Sequence, residues 1–218
     1  MSSNDAVNIT GFASVPEFAR GLVRDLRVRW ALEEAGVAYQ AKLLAQGEQK
    51  GPENLRVQPF GQVPAFGEGR IEMFETGAIV LHIGENCETL LPKDPAARAR
   101  ATSWVFAALN SVEPYLTQIA AIDIFHAGEA WTRERRPQVE ASARERLGLL
   151  ADWLGDRDYL EDEFTAGDLM MTTVLRILRH TTLVTERPLL AAYQARCEAR
   201  PAFQRALAAQ LADFAAND

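Results

Sequence analysis

Apolar and polar residues at the start of the chain follow a pattern that predicts a β-α-β unit. Residues 7–12 alternate as a strand does, and apolar residues then recur at helical spacing from Val28 to Ala35. Gly36 follows at once, which is typical of a helix end. Residues 37–44 read as a second strand, so the chain opens with two strands joined through a helix.

The pattern then changes twice. Residues 64–66 and 70–74, separated by the glycine-containing residues 67–69, predict a β-hairpin, and residues 76–84 predict a helix. Beyond Pro92 the apolar spacing is purely helical. The helical stripes are marked by Leu109, Val112 and Leu116, by Ala143, Leu147, Leu150 and Leu154, and by Phe203, Leu207, Leu211 and Phe214. The prolines predicted to separate these helices are Pro92, Pro95, Pro137, Pro188 and Pro201.

This change from a mixed strand-and-helix pattern to a purely helical pattern predicts two domains. Residues 1–84 are expected to form an α/β thioredoxin-like domain, because two strands and a helix are followed by a hairpin and another helix. Residues 93–218 are expected to form an all-α C-terminal helical bundle domain. Residues 85–92 are the natural linker between them.

The composition of the chain argues against several classes of function. The 218 residues carry a formal net charge of -7, which argues against a general nucleic-acid surface, since binding to phosphates relies on Lys and Arg. No apolar run reaches the roughly 18 residues of a membrane span. The chain has only two cysteines, and neither they nor the three histidines have partners at metal-ligand spacing, so we expect no metal site. A cytoplasmic protein with small-molecule or protein partners is expected.

One set of short motifs is specific because its members recur at intervals of 13 residues. These motifs are Gln49-Lys50, Gln62-Val63-Pro64 and Glu75-Thr76. At this point the sequence resembles the cytosolic glutathione S-transferases, and the loop is most similar to that of theta-type and related bacterial members. The resemblance runs from Ile9 to about Phe214 and implies the glutathione transferase fold, with glutathione as co-substrate and no metal.

The first of the implied contacts uses the backbone. Glutathione is an extended tripeptide, and its cysteinyl unit can pair with a strand end as one more strand. By resemblance, a cis bond before Pro64 turns the chain so that Val63 presents its N–H and C=O to the ligand, with Gln62 beside it.

The two ends of the tripeptide need charged or polar partners. Glu75 and Thr76 precede a predicted helix, and a helix N-terminus attracts a carboxylate. The resemblance therefore implies that Thr76 receives the γ-glutamyl carboxylate and that Glu75 faces its ammonium group. Gln49 and Lys50 stand at the family positions that hold the glycyl carboxylate.

The residue that activates the thiol is the open question in the sequence. A gapless alignment puts Leu22 where the family has its catalytic serine, whereas a short insertion would leave Ser14 at that place. Ser14 and Glu17 also match a capping box, so Ser14 is predicted either as the catalytic thiol partner or as a helix cap. Arg20, Arg24 or the backbone itself could stabilise the thiolate instead.

In the helical domain, Thr165 and Asp168 match a capping box, with Phe164 able to pack as its hydrophobic staple. This pair is predicted to stabilise the fold and to take no part in chemistry. By resemblance, one stripe of the helix after the linker helps to line the pocket for the electrophile. That stripe consists of Trp104, Ala108, Ser111 and Tyr115.

The resemblance implies a cytoplasmic homodimer in which Phe60 docks in the partner chain. The expected reaction is attack of the glutathione thiolate on a small hydrophobic electrophile, as in detoxification, or reduction of a peroxide by the same thiolate. Two alternatives stay open. One is a glutathione-dependent isomerase, and the other is a glutathione-binding or protein-interaction module of the same fold that lacks activity.

Overall fold

A four-stranded mixed sheet forms the first part of the molecule. The computed structural model describes residues 6–216. The strands are β1 (Val7–Phe12), β2 (Tyr39–Leu44), β3 (Ala65–Glu68) and β4 (Ile71–Phe74). Their order in the sheet is β2-β1-β3-β4, with β1 and β2 parallel and the other pairs antiparallel. The sheet therefore combines the predicted β-α-β unit with the predicted hairpin.

Helices account for most of the remaining chain. The α-helices are α1 (Asp25–Ala35), α2 (Pro52–Leu55), α3 (Thr76–Gly84), α4 (Pro95–Phe106), α5 (Glu113–Ala120), α6 (Ala130–Leu154), α7 (Ala166–Leu175), α8 (Pro188–Glu198) and α9 (Pro201–Ala215). Short 3-10 helices span Glu17–Ala19, Glu48–Lys50 and Arg176–Leu178, and π-helical segments span Ala107–Val112 and Ala121–Phe125. Among residues 6–216, no helix combines the length and the apolar character needed to cross a membrane.

The strand and helix ends follow from local chemistry. The helix α1 stops at Gly36, whose φ of 67° is a left-handed conformation that a residue without Cβ adopts at little cost. The hairpin differs slightly from its prediction, because β3 continues through Gly67 and Glu68. The turn consists of Gly69, with φ of 58°, and Arg70. The pairing of Glu68 with Ile71 leaves room for a two-residue turn and no more.

By packing, the described residues divide into two compact units. One unit contains the described residues up to Leu91 together with those from Arg200 onward, and the other is Pro92–Ala199. The helix α9 thus packs with the sheet-containing unit, where it contacts α1, although its sequence pattern resembles that of the preceding helices. The domain boundaries 1–84, 85–92 and 93–218 stay predictions.

The apolar stripe predicted for α9 is wrong in its middle part, since Phe203 and Phe214 are buried as predicted but Leu211 is not. Leu211 is 38% exposed, whereas the stripe that is buried runs through Phe203, Ala206, Gln210 and Phe214. A buried glutamine cannot be detected by a search for apolar positions. The prediction failed for that reason.

Pro137 also behaves differently from the other prolines. Pro95, Pro188 and Pro201 begin α4, α8 and α9, as expected for a residue that has no N–H to donate. Pro137 instead lies inside α6, which continues through it. The neighbouring Arg136 forms an ion pair with Asp123 at 2.7 Å, which ties this part of the helix to the preceding segment.

The capping box predicted in the helical unit is confirmed. The Thr165 side chain accepts a hydrogen bond from Gly167 N at 3.2 Å, and the Asp168 carboxylate accepts one from Thr165 N at 2.9 Å. Asp168 also accepts bonds from Leu160 N and from the Tyr193 hydroxyl. This one carboxylate therefore joins three segments of the unit.

Candidate functional site

A cavity of about 360 Å³ lies where the end of β1 meets the start of α1 and the loop before β3. Its lining residues are Phe12, Leu22, Val23, Arg24, Gln49, Gly61, Gln62 and Val63. Gln49, Gln62 and Val63 were predicted to bind glutathione, and the structure brings these three together on one cavity wall. Pro64 follows Val63 through a cis peptide bond, as the resemblance implied.

The backbone of Val63 is unusual in its hydrogen bonding. Val63 is only 7% exposed, yet within residues 6–216 neither its N–H nor its C=O has a hydrogen-bond partner. Buried backbone groups in proteins are almost always paired. A strand-like ligand lying in the cavity would supply the missing partners.

Two buried amides shape this wall, and sequence reasoning assigned neither of them a role. Asn54 donates to Gln49 O at 2.9 Å and to Gln62 O at 3.2 Å, which holds the two sides of the loop together. The Gln58 side chain accepts bonds from Phe60 N and Gln62 N at 2.8 and 3.1 Å. Both residues lie between the Gln49-Lys50 and Gln62-Val63-Pro64 motifs. A polar side chain in such a loop is equally expected to face solvent, so the sequence does not show that they are buried.

Gln49 and Lys50 lie in the short 3-10 helix Glu48–Lys50. The Gln49 side-chain carbonyl accepts a bond from Gly47 N at 2.7 Å, which fixes its orientation. Gly61 has φ of 62°, and a Cβ on it would lie 3.2 Å from Lys50 Cγ. A side chain at Gly61 would therefore be strained by the left-handed backbone and would have to displace the Lys50 side chain. Lys50 itself is exposed and is not among the lining residues of the cavity.

Glu75 and Thr76 form the start of α3. Glu75 has φ of 70°, a left-handed backbone conformation that is costly for a residue with a side chain and is found mainly at functional positions. Thr76 is 5% exposed, and its hydroxyl accepts a bond from Arg27 Nη1 at 3.3 Å. Arg27 is itself buried, so a cation and a helix N-terminus stand side by side. Both attract a carboxylate.

Sequence reasoning did not identify Arg27. It lies directly before the apolar stripe of α1 and gives no signal in a hydrophobic pattern. A motif search restricted to the loop also passes over it. Its approach to Thr76 depends on the packing of α1 against α3.

Ser14 is half-buried beyond the end of β1, and it is not among the residues that line the cavity. Its carbonyl accepts a bond from Gln46 Nε2 at 3.1 Å. The capping box predicted for Ser14 and Glu17 does not form, because Pro16 is the residue that precedes the 3-10 helix and no side chain caps it. Leu22 lines the cavity instead, where the gapless alignment placed it. The catalytic role of Ser14 stays a prediction.

Behind the cavity lies a buried ion pair in which Arg29 Nε is 2.7 Å from Asp25 Oδ2. Burial raises the pKa of the Asp25 carboxyl above its ordinary value, and the Arg29 guanidinium opposes that shift. The pair leaves β1 no space for a side chain at Gly11, where a Cβ would lie 3.1 Å from the Asp25 carboxylate. In the part of the chain that the structure describes, no cluster of three His, Cys, Asp or Glu residues could hold a metal ion.

Comparison with known proteins agrees with this geometry. Residues 19–85 match the glutathione S-transferase N-terminal domain. The chain therefore carries a glutathione S-transferase N-terminal domain. Over 209 residues, or 90% of each chain, it is 29% identical to glutathione S-transferase 4 of Zea mays.

Solved structures extend the likeness of this chain to nearly its whole length. Poplar glutathione transferase F1 superposes with a TM-score of 0.81 at 24% identity and covers 95% of this chain and 99% of its own. A glutathione transferase from Burkholderia graminis, with two glutathione molecules bound per subunit, gives a TM-score of 0.82 at 23% identity over 93% and 88% of the two chains. The predicted fold, a thioredoxin-like domain with an all-α C-terminal domain, is confirmed.

In the helical unit, two residues of the stripe predicted to line the electrophile pocket form hydrogen bonds within the unit. The Trp104 indole donates to Glu161 at 2.9 Å, and the Tyr115 hydroxyl accepts from Arg146 at 3.1 Å. Ser111 is exposed and Ala108 is buried. Both belong to the π-helical segment Ala107–Val112, a helix type that is frequent at functional sites and that the sequence pattern did not predict.

Proposed function

We propose that this protein is a glutathione transferase that conjugates glutathione to small hydrophobic electrophiles, or reduces peroxides with it, through an activated thiolate. The observation that carries the proposal is Val63, a buried residue beside the cavity whose backbone N–H and C=O have no hydrogen-bond partner within residues 6–216. A peptide ligand satisfies both groups at once. The names of the relatives support the same activity.

The proposed glutathione site uses the predicted residues. Val63, preceded by Gln62 and followed by Pro64, pairs with the cysteinyl unit. Thr76 and Glu75 hold the γ-glutamyl end, and the adjoining buried guanidinium of Arg27 adds positive charge there. Gln49 and Lys50 hold the glycyl carboxylate.

For the thiol, the cavity favours Arg24 among the candidates. None of its lining residues carries a hydroxyl group, and Arg24 is the one cation among them. A nearby cation favours the thiolate over the thiol. Arg24 is also the residue that immediately precedes α1, so the partial positive charge of that helix end acts in the same direction.

A titration of bound glutathione tests the activity and the thiol partner together. In the wild type, thiolate absorbance should titrate below the free-thiol pKa of about 8.5, and an aromatic halide should be conjugated. Arg24→Gln should raise the pKa of the bound thiol by roughly one unit, because an opposite charge at close range shifts a pKa by about that much or more. Turnover at neutral pH should fall with the thiolate fraction.

Ser14→Ala and Arg20→Gln are the matched variants in this titration. A shift confined to Ser14→Ala would return the catalytic role to that hydroxyl, and unshifted titrations in all three variants would point to the backbone. A wild type that binds glutathione with an unperturbed thiol and no turnover would identify the non-catalytic module. Turnover of a double-bond isomer without conjugation would identify the isomerase.

We also propose that the protein acts as a homodimer. Phe60 is 68% exposed beside the glutathione loop, and its ring packs edge-on to Phe74 at 6.1 Å. An aromatic ring held in this way is typical of an interface anchor.

Phe60→Ala should weaken the dimer by roughly a hundredfold or more, because each of two symmetric rings contributes about 1.5–3 kcal/mol of burial. Sedimentation velocity across the micromolar range measures this effect. Phe125→Ala is the control, since Phe125 is equally exposed at 68%. A wild type that sediments as a monomer at micromolar concentration would contradict the proposal.

We also propose the class of the glutathione loop, the compartment and the biological role. The glutathione loop is of the theta type found in bacterial members, and the protein acts in the cytoplasm in detoxification. The loop motif and the acidic composition support these assignments.

A further inference from the structure

Gln210 is a polar residue in the buried stripe of α9. Its side chain is fully buried among apolar neighbours that include Phe203, Ala206 and Phe214. Its side-chain carbonyl has no hydrogen-bond partner within residues 6–216. An apolar side chain of similar size would fill this position without that cost, so packing alone does not explain a glutamine here.

The hydrogen bonds of the Gln210 side-chain nitrogen explain why a glutamine stands at this position. Gln210 Nε2 donates to Val23 O at 3.1 Å and to Asp25 Oδ1 at 2.6 Å. The other oxygen of Asp25 is held by Arg29 Nε at 2.7 Å, so the acceptor is itself fixed. One amide therefore joins α9 to the first residue of α1 and to the segment just before it.

That segment is the part of the cavity wall where the thiol partner is proposed to lie. Leu22, Val23 and Arg24 all line the cavity, and the Gln210 bond reaches the middle residue of the three. Val23 O also accepts the backbone bond from Leu26 N at 3.0 Å, which connects the segment to the first turn of α1. Gln210 thus holds the Val23 backbone on one side of Arg24 and the Asp25 side chain on the other, and it is not among the residues that line the cavity.

We propose that Gln210 is a positioning residue, which holds the segment Leu22–Arg24 against the place of the glutathione sulfur. The proposal rests on the proposed function. It predicts that a residue near the C-terminus controls the reactivity of the bound thiol while leaving the contacts to the rest of the tripeptide intact, because those contacts come from Val63 and Thr76.

The test uses Gln210→Met, which keeps the volume and flexibility of the side chain but removes both donors. The acid dissociation constant of the bound glutathione thiol should fall roughly threefold to tenfold, the range expected for the loss of a hydrogen bond that holds the segment. Turnover should fall in parallel at neutral pH. Affinity for the glutathione analogue in which methyl replaces the thiol should stay within a factor of two. Gln210→Asn, whose shorter amide cannot reach both acceptors, carries the test if the Met variant does not fold.

Two variants on the same pair of helices are the controls. Asp213→Ala removes the 2.6 Å bond from Arg29 Nη2 to α9, and Arg205→Gln removes the ion pair of α9 with Glu33 at the far end of α1. Both weaken the attachment of α9 without touching Val23. The inference would be overturned by a Gln210 variant that melts at a lower temperature but whose bound glutathione thiol has the same pKa as in the two controls. Gln210 would then have a structural role only. A wild type that binds neither glutathione nor the methyl analogue would instead refute the proposed function.

Discussion

Replacing Asp168 with alanine should lower the free energy of unfolding by roughly 3–5 kcal/mol, because three buried donors would lose their acceptor at a cost of about 1–3 kcal/mol each. The donors are Leu160 N at 2.9 Å, Thr165 N at 2.9 Å and the Tyr193 hydroxyl at 3.0 Å. Asp168 is fully buried, so water cannot replace the lost carboxylate. Activity per folded molecule should be unchanged.

Chemical denaturation, with turnover normalised to the folded fraction, measures both effects. Thr165→Ala is the matched variant, since it removes only the cap and should cost about 1 kcal/mol. The difference between the two variants then reports the bonds that Asp168 makes outside the capping box. An Asp168→Ala protein with full stability and no turnover would show that this carboxylate belongs to the chemistry.

Replacing Thr76 with alanine should weaken glutathione binding by roughly tenfold to a hundredfold, because a hydrogen bond to a charged group is worth about 1.5–3 kcal/mol. The hydroxyl already accepts a bond from Arg27, and it keeps its own proton for a ligand carboxylate. The two contacts are therefore compatible in one site.

Calorimetry with glutathione measures the loss. Thr76→Ser keeps the hydroxyl and should restore most of the affinity, whereas Thr165→Ala changes stability in the helical unit and should leave binding alone. Unchanged binding by Thr76→Ala would remove this residue from the site.

Structural elements that depend on residues close together in the sequence could be predicted accurately. The helix α3 runs from Thr76 to Gly84 as predicted, and Thr165 caps α7 with Asp168 as its partner. Both depend on residues a few positions apart, where side-chain type and spacing decide the hydrogen bonds. The cluster of Gln49, Gln62 and Val63 was also expected, because the family resemblance assigns all three residues to one glutathione site.

The thiol end of the site could not be predicted in this way. A gapless alignment placed Leu22 at the position of the catalytic serine and an insertion placed Ser14 there, with Arg20 and Arg24 as further candidates, and the structure places Leu22 and Arg24 on the cavity wall. The path of the chain between β1 and α1 decides which side chain faces inward. No pattern in a segment of turns and a short 3-10 helix specifies that path.

By itself, the sequence determined the order of strands and helices up to Gly84, the end of α1 at Gly36, the cap of α7 at Thr165 and the motifs of the glutathione loop, because each depends on neighbours along the chain. Only the tertiary structure decided the partners of Arg27, Asn54 and Gln210. In sequence these are polar residues that could equally face solvent, and only packing buries them. Gln210 reaches Val23 across 187 positions of sequence, a contact that exists because α9 folds back onto α1. Long-range packing thus determines which polar groups are buried, and burial makes their few hydrogen bonds decisive for the site.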